Sequence, residues 1–140
     1  MVYLCNLRPT TLSSLFFATN VLHLYKKNDK LYFYSFAGLL TSSVLHHQTK
    51  CEYNILYLID KACIVSVVYF GGKNYIQYAS ANFLSILVPF KFCTIFWLYY
   101  YGYSRNKYCF DKDEKKGNYY HMLLHMLSSF GHNIITYYIP

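Results

Sequence analysis

"HMLLHMLSSFGH", residues 121–132, places three of the chain's six histidines in an otherwise apolar stretch. At about 100° per helical residue, His125 lies roughly 40° around the helix from His121, and His132 roughly 20° from it. A helix therefore puts all three imidazoles on one face. The stretch sits inside residues 117–140, the longest run of the chain without an Asp, Glu, Lys or Arg. A membrane-spanning helix needs about 20 mostly apolar residues, and about 17 at the least. Residues 9–25, 31–49 and 74–90 are runs of the same kind, and residues 53–72 make another that is interrupted by Asp60 and Lys61. Residues 92–104 are apolar but short for a span.

Composition agrees with this pattern. Of 140 residues, 55% are hydrophobic, 21% aromatic and only 14% charged, which is outside the usual soluble balance. The length suits one domain over residues 1–140, and no internal repeat divides it. The expected fold is all-α, a polytopic transmembrane helix bundle of five spans, with six as the alternative count. The first run lacks a basic start and a small-residue cleavage site, so it is expected to stay in place as an anchor. The five cysteines are scattered without a CxxC pair, which points to neither a disulfide framework nor a thiolate metal site. The net charge of +7 resides mainly in "KKNDK" (26–30) and "SRNKYCFDKDEKKG" (104–117), between apolar runs. These read as headgroup-facing loops rather than as a nucleic-acid surface.

Ionisable groups at membrane depth cost about 2.5 to 3.5 kcal/mol each on insertion scales and mark function by default. This chain has Asp60 in "YLIDKACIVSVVYFGG" (57–72), the pair His46 and His47 closing "SFAGLLTSSVLHH" (35–47), and the opening trio. Neutral imidazole is a good zinc ligand, and a catalytic zinc site typically takes three protein ligands and leaves a fourth position open. His121 and His125, at i and i+4, can aim two nitrogens at one ion, and the end of the second run supplies a third from His46 or His47. Asp60 then serves as water-holder and general base. Ser43, four residues before His47, can donate a hydrogen bond to the attacking water or to a developing oxyanion. The plainer alternatives are interfacial histidines, a local Asp60–Lys61 ion pair, and serines that let helices approach closely or bond back to the preceding turn. His23 and His132 read as interhelical hydrogen bonders, and Gly71 and Gly72 as a helix end.

In order along the chain, Ser43-Val-Leu-His-His47, then Asp60, then His121-Met-Leu-Leu-His125 resemble the pattern of the CREST superfamily, which includes alkaline ceramidases, progestin and adiponectin receptor proteins and hemolysin III-like proteins. "SSVLHH" is close to the form seen in the hemolysin III-like members, and this favours His47 over His46. The resemblance covers residues 42–132 and rests on about seven positions. It implies a bundle holding zinc by His47, His121 and His125, with Asp60 and Ser43 near the attacking water and a ceramide-like lipid amide, or an ester, as substrate. Such relatives usually have seven helices, more than this chain can hold. The rival expectation is a non-catalytic, receptor-like membrane protein that keeps the helical core.

Counting crossings tests the pattern. His47, Asp60 and His121 must lie on one side, so the chain must cross an odd number of times between Gly72 and His121, and its length allows one. The expected crossing is 74–90, ending at Pro89 and Lys91, with 92–104 in the interface. Arg8, Lys50, Arg105, Lys107, Lys112, Lys115 and Lys116 then share that side, against Lys26, Lys27, Lys30 and Lys73. The positive-inside rule makes it cytoplasmic, the N-terminus included. Six crossings fit the rule too, but separate His121 from His47 by the membrane's thickness.

Overall fold

The computed structural model of the chain describes residues 8–49 and 55–140. Among these the secondary structure is entirely helical, arranged as five successive rods. The first, α1, covers residues 9–25 in two pieces, Pro9–Ser14 and Phe17–Tyr25, with a turn between them. α2 is Lys30–Gln48 and α3 is Ile55–Ala79. α4 covers residues 83–105, and α5 is Glu114–Tyr138.

Local chemistry sets the ends. Asp29 caps α2 by accepting from the Tyr32 amide at 3.0 Å, and its other oxygen accepts from Asn74 Nδ2 of α3 at 2.7 Å, so one carboxylate serves a helix end and a helix pair. Asp113 caps α5 through the Lys115 amide at 3.0 Å. α4 stops at Asn106, which takes the left-handed conformation at φ 50°, a backbone state that Asn tolerates better than most side chains.

Neighbouring rods run antiparallel. Ser35 meets Ser66 at 2.7 Å and Ser42 meets Asp60 at 3.1 Å across α2 and α3. Thr11 reaches Gln48 and Ser14 reaches Ser43 across α1 and α2. α5 packs against α1, α3 and α4, and its course beside α1 is parallel: Ser13 pairs with His125, Asn20 with Ser129 and His23 with Asn133. The arrangement returns the ends of α2 and α4 and the starts of α1, α3 and α5 to one end of the bundle.

The packing inverts the soluble pattern. Thr10, Thr11, Ser13, Ser14, Asn20, Ser42, Ser43, Asp60, Asn74, His125, Ser129 and Thr136 are buried, while Leu22, Ile55, Val65, Ile76, Phe83, Ile86 and Phe90 lie outside. Apolar residues still form an inner cluster around Phe17, Leu24, Tyr32, Phe36, Val67 and Ile135. Two helical stretches, Ile55–Ala79 (α3) and Phe83–Phe110 (α4 with the short 3₁₀ turn that follows it), are long and apolar enough to cross a membrane, with mean hydropathies of 1.6 and 1.5. Only 17% and 11% of these stretches is buried in the molecule, so neither is the enclosed core helix of a soluble domain.

Three expectations need correction. The helix does not break at Pro89 and Lys91; the break falls at residues 80–82, and α4 runs through both. Pro89 lies in the first turn of the α-helical part, Leu87–Phe96, just after the 3₁₀ turn Phe83–Ile86, where a missing N–H costs little. Lys91 Nζ rests 3.7 Å from the ring centroid of Phe130, a cation–π contact that offsets part of its desolvation. Residues 92–104 consequently belong to α4 rather than to a separate interfacial segment. Finally, Gly71 and Gly72 do not end a helix, since α3 continues through them to Ala79.

Gly71 is instead the place where the side chains of His132 on α5 and Tyr32 on α2 lie against the backbone of α3. A Cβ there would lie 2.6 Å from His132 Cε1 and 3.0 Å from the Tyr32 hydroxyl, whereas one on Gly72 meets nothing within 4 Å. Gly71→Ala is therefore expected to cost about 1 to 3 kcal/mol, as overpacking does, and to lower the melting temperature. Gly72→Ala is expected to leave it unchanged or slightly raised. Thermal unfolding of the two variants in the same detergent checks the pair.

Candidate metal centre

Turn geometry brings the imidazoles together. His121 and His125 lie one helical turn apart near the start of α5, and His47 lies in the last turn of α2, which runs antiparallel beside it. One ring nitrogen from each of the three falls within 4.8 Å of the others. The ring centroids are 4.6 Å apart for His47 and His121, 4.8 Å for His121 and His125, and 5.1 Å for His47 and His125. Two of the pairs meet nearly edge-on, at 84° and 90°, so the trio surrounds a point instead of stacking. His125 is buried, and His47 and His121 are half-buried. A tetrahedral ion with bonds of ~2.0–2.1 Å needs nitrogens about 3.3 Å apart, which small side-chain rotations can supply. Three neutral nitrogen donors suit zinc, copper, nickel or iron better than the oxygen-seeking calcium or magnesium. The trio can hold a metal ion.

The proton on His125 can be placed by counting donors. Ser13 Oγ donates its one proton to the Thr10 carbonyl at 2.9 Å and lies 2.8 Å from His125 Nδ1. With that proton used, Nδ1–H must donate to Ser13, leaving the Nε2 lone pair for a metal. Orientation of a ligand imidazole through its other nitrogen is the usual support for such a site. Phe17 packs on the same ring, with centroids 5.1 Å apart.

Asp60 is buried and accepts from Ser42 Oγ at 3.1 Å. It stands outside the group whose ligand atoms fall within 4.8 Å of one another, and it forms no ion pair with Lys61, whose ammonium turns to the rings of Tyr57 and Tyr99. Ser43 lies 2.9 Å from Ser14 Oγ, which itself donates to the Thr10 carbonyl at 3.0 Å. The proton of Ser43 therefore points to α1, and its neighbour Ser42 is the serine on the carboxylate. Of the two candidate ligands on α2, His47 belongs to the trio. His46 packs against the rings of His47 and Tyr57, and its Nδ1 is buried with no hydrogen-bond partner. His132 pairs with the Tyr32 hydroxyl at 2.5 Å and His23 with Asn133 at 2.9 Å, both between helices as their isolated positions implied.

The face of α1 formed by Thr10, Thr11, Ser13 and Ser14 is the part that sequence reasoning missed. Its signal is present in "PTTLSS" (9–14), where small hydroxyl residues recur at helical spacing within an apolar run. Comparison of the chain with family models, with curated proteins and with solved structures yields no match. The reading of the site thus rests on its own residues.

Ser13→Ala is expected to weaken metal affinity about 10- to 100-fold, the usual effect of losing an outer partner of a ligand, while one ion per chain still binds at saturation. Competition against a chromophoric chelator measures it.

Proposed function

We propose that the chain is a membrane-embedded, zinc-dependent hydrolase of lipid amide bonds of the ceramide type, or of lipid esters. The observation that carries the reading is the convergence of His47, His121 and His125 at the end of the bundle where Asp60 also lies buried.

Membrane embedding follows in the proposal from the inverted packing. A polar interior and an apolar exterior suit a bilayer, where surrounding lipid cannot satisfy a hydroxyl or an imidazole and neighbouring helices must. At about 1.5 Å per residue the five rods are roughly 25 to 38 Å long, against a hydrocarbon core of about 30 Å. All five then cross. Among the described residues, Arg8, Arg105, Lys107, Lys112, Lys115 and Lys116 fall at or beyond the metal end, and Lys26, Lys27, Lys30 and Lys73 near the other. The positive-inside rule places the metal end, and the N-terminus with it, in the cytoplasm.

His47, His121 and His125 would hold zinc, which when bound would supply a Lewis acid and lower the pKa of the attacking water towards neutrality. Asp60 accepts the proton of that water and returns it to the leaving amine or alcohol. Ser42 holds the Asp60 carboxylate through its hydroxyl, which fixes the direction from which the proton is taken. Ser43 assists by turning about χ1 from Ser14 towards the oxyanion. Lipid substrate reaches the site from the bilayer, between helices whose outer faces are apolar.

Metal content and turnover together test the proposal. The purified chain is expected to carry close to one zinc, and His121→Ala with His125→Ala to carry none. Asp60→Asn is expected to keep its zinc and lose at least about 100-fold in turnover of a fluorescent ceramide or lipid ester. A wild-type protein that takes up no zinc on resupply, or an Asp60→Asn variant that is fully active, contradicts the reading.

A further inference from the structure

Lys61 is a charged side chain close to the histidine trio that the hydrolase reading leaves without a role. Its ammonium lies 5.2 Å from the ring centroid of Tyr57 on its own helix and 5.1 Å from that of Tyr99 on α4. Tyr99 belongs to the one π-helical turn of α4, Trp97–Tyr101, and such turns are frequent at functional sites. The two rings hold the cation towards the histidines. Tyr57 also packs on His46 at 5.5 Å, and His46 on His47 at 5.1 Å. The ammonium is within coulombic reach of His46, His47, His121 and His125.

Among the described residues the cation has no anionic partner. The adjacent carboxylate, Asp60, is turned inward onto Ser42, and Lys61 makes no ion pair among the described residues. Two aromatic faces fix a lysine in place but do not neutralise it. An ion held by three neutral imidazoles adds further positive charge beside it, more than Asp60 can balance alone. A cation that is held in place, partly exposed and without an ion-pair partner among the described residues is arranged to receive a negative group.

We propose that Lys61 is a specificity-determining residue that binds an oxyanion, carboxylate or phosphate, on the head of the lipid close to the bond to be cut. The preferred substrates are then anionic lipid amides or esters rather than neutral ceramide. This inference rests on the hydrolase reading of the trio, and its test is a binding measurement so that it succeeds or fails apart from turnover.

The full chain in nanodiscs of phosphatidylcholine is titrated with a fluorescent N-acylglycine and with the matching N-acylglycinamide, which differ only in the charge of the head. The protein is used both zinc-loaded and metal-free. Wild type is expected to bind the acid about 10- to 100-fold more tightly than the amide, the range of a charge-assisted contact. Lys61→Arg is expected to keep most of that preference and Lys61→Gln to lose it, with Tyr99→Leu reducing it. If the chain turns the lipids over, the ratio of kcat/KM for acid and amide falls in parallel in Lys61→Gln. Equal affinity of wild type for the two lipids overturns the proposal, as does a preference that survives in Lys61→Gln. Inorganic phosphate that competes as strongly as a second acylglycine also overturns it, because the site would then read a free anion and not a lipid. A preference for the acid that persists without metal supports the role of Lys61 even where the trio proves to bind no zinc.

Discussion

Most buried hydroxyls and imidazoles between helices find a partner on a neighbouring helix or on the preceding turn of their own, and this constraint organises the molecule. Leaving one unpaired away from water costs about 1 to 3 kcal/mol, and thirteen polar or charged residues are buried among the described residues. The partners come in layers. Ser13 and Ser14 of α1 meet His125 of α5 and Ser43 of α2 at the end that holds the trio. Asn20, Ser129 and Thr19 meet in the middle. Tyr32, His132 and the Asp29–Asn74 pair meet beyond. Each layer sets the register of the rods it joins, and the register aligns the last turn of α2 with the first turns of α5. The histidine trio is therefore a product of the same bonds that hold the bundle.

The same constraint shapes the trio itself. Three imidazoles crowded within a few ångströms are a poor packing choice for an apolar core, because each ring brings two nitrogens that need partners. Ser13 serves one nitrogen of His125. One nitrogen of each ring in the trio lies within 4.8 Å of the other two, so that a single cation could be shared by all three. Asp60, a turn and a half into α3 and bonded only to Ser42, fits the same logic as a carboxylate kept close to positive charge.

How much of this was legible in the sequence depends on whether the signal is local. His121 and His125 announce a shared face by their spacing alone, and His47 joins them once an odd number of crossings is required between Gly72 and His121. The five rods have that parity. The bounds of the rod differ from those expected, because Pro89 and Lys91 look like a helix end until Phe130 of α5 is seen beneath the lysine. Gly71 misled in the same way: its purpose is the closeness of His132, which is 61 positions away in the chain. Ser13 and Ser14 are short side chains in an apolar run, and only their distant partners distinguish them from helix-packing serines.

The central claim is that His47, His121 and His125 bind one metal ion together. X-ray absorption at the zinc edge of the reconstituted protein tests it most directly, since it reads the identity and distance of the ligands. The account predicts a four-coordinate ion with imidazole scattering from three rings at ~2.0–2.1 Å and one lighter scatterer, and the loss of one ring in His47→Ala. A shell with sulfur at ~2.3 Å, or a spectrum unchanged in His47→Ala, would place the metal elsewhere and contradict the account.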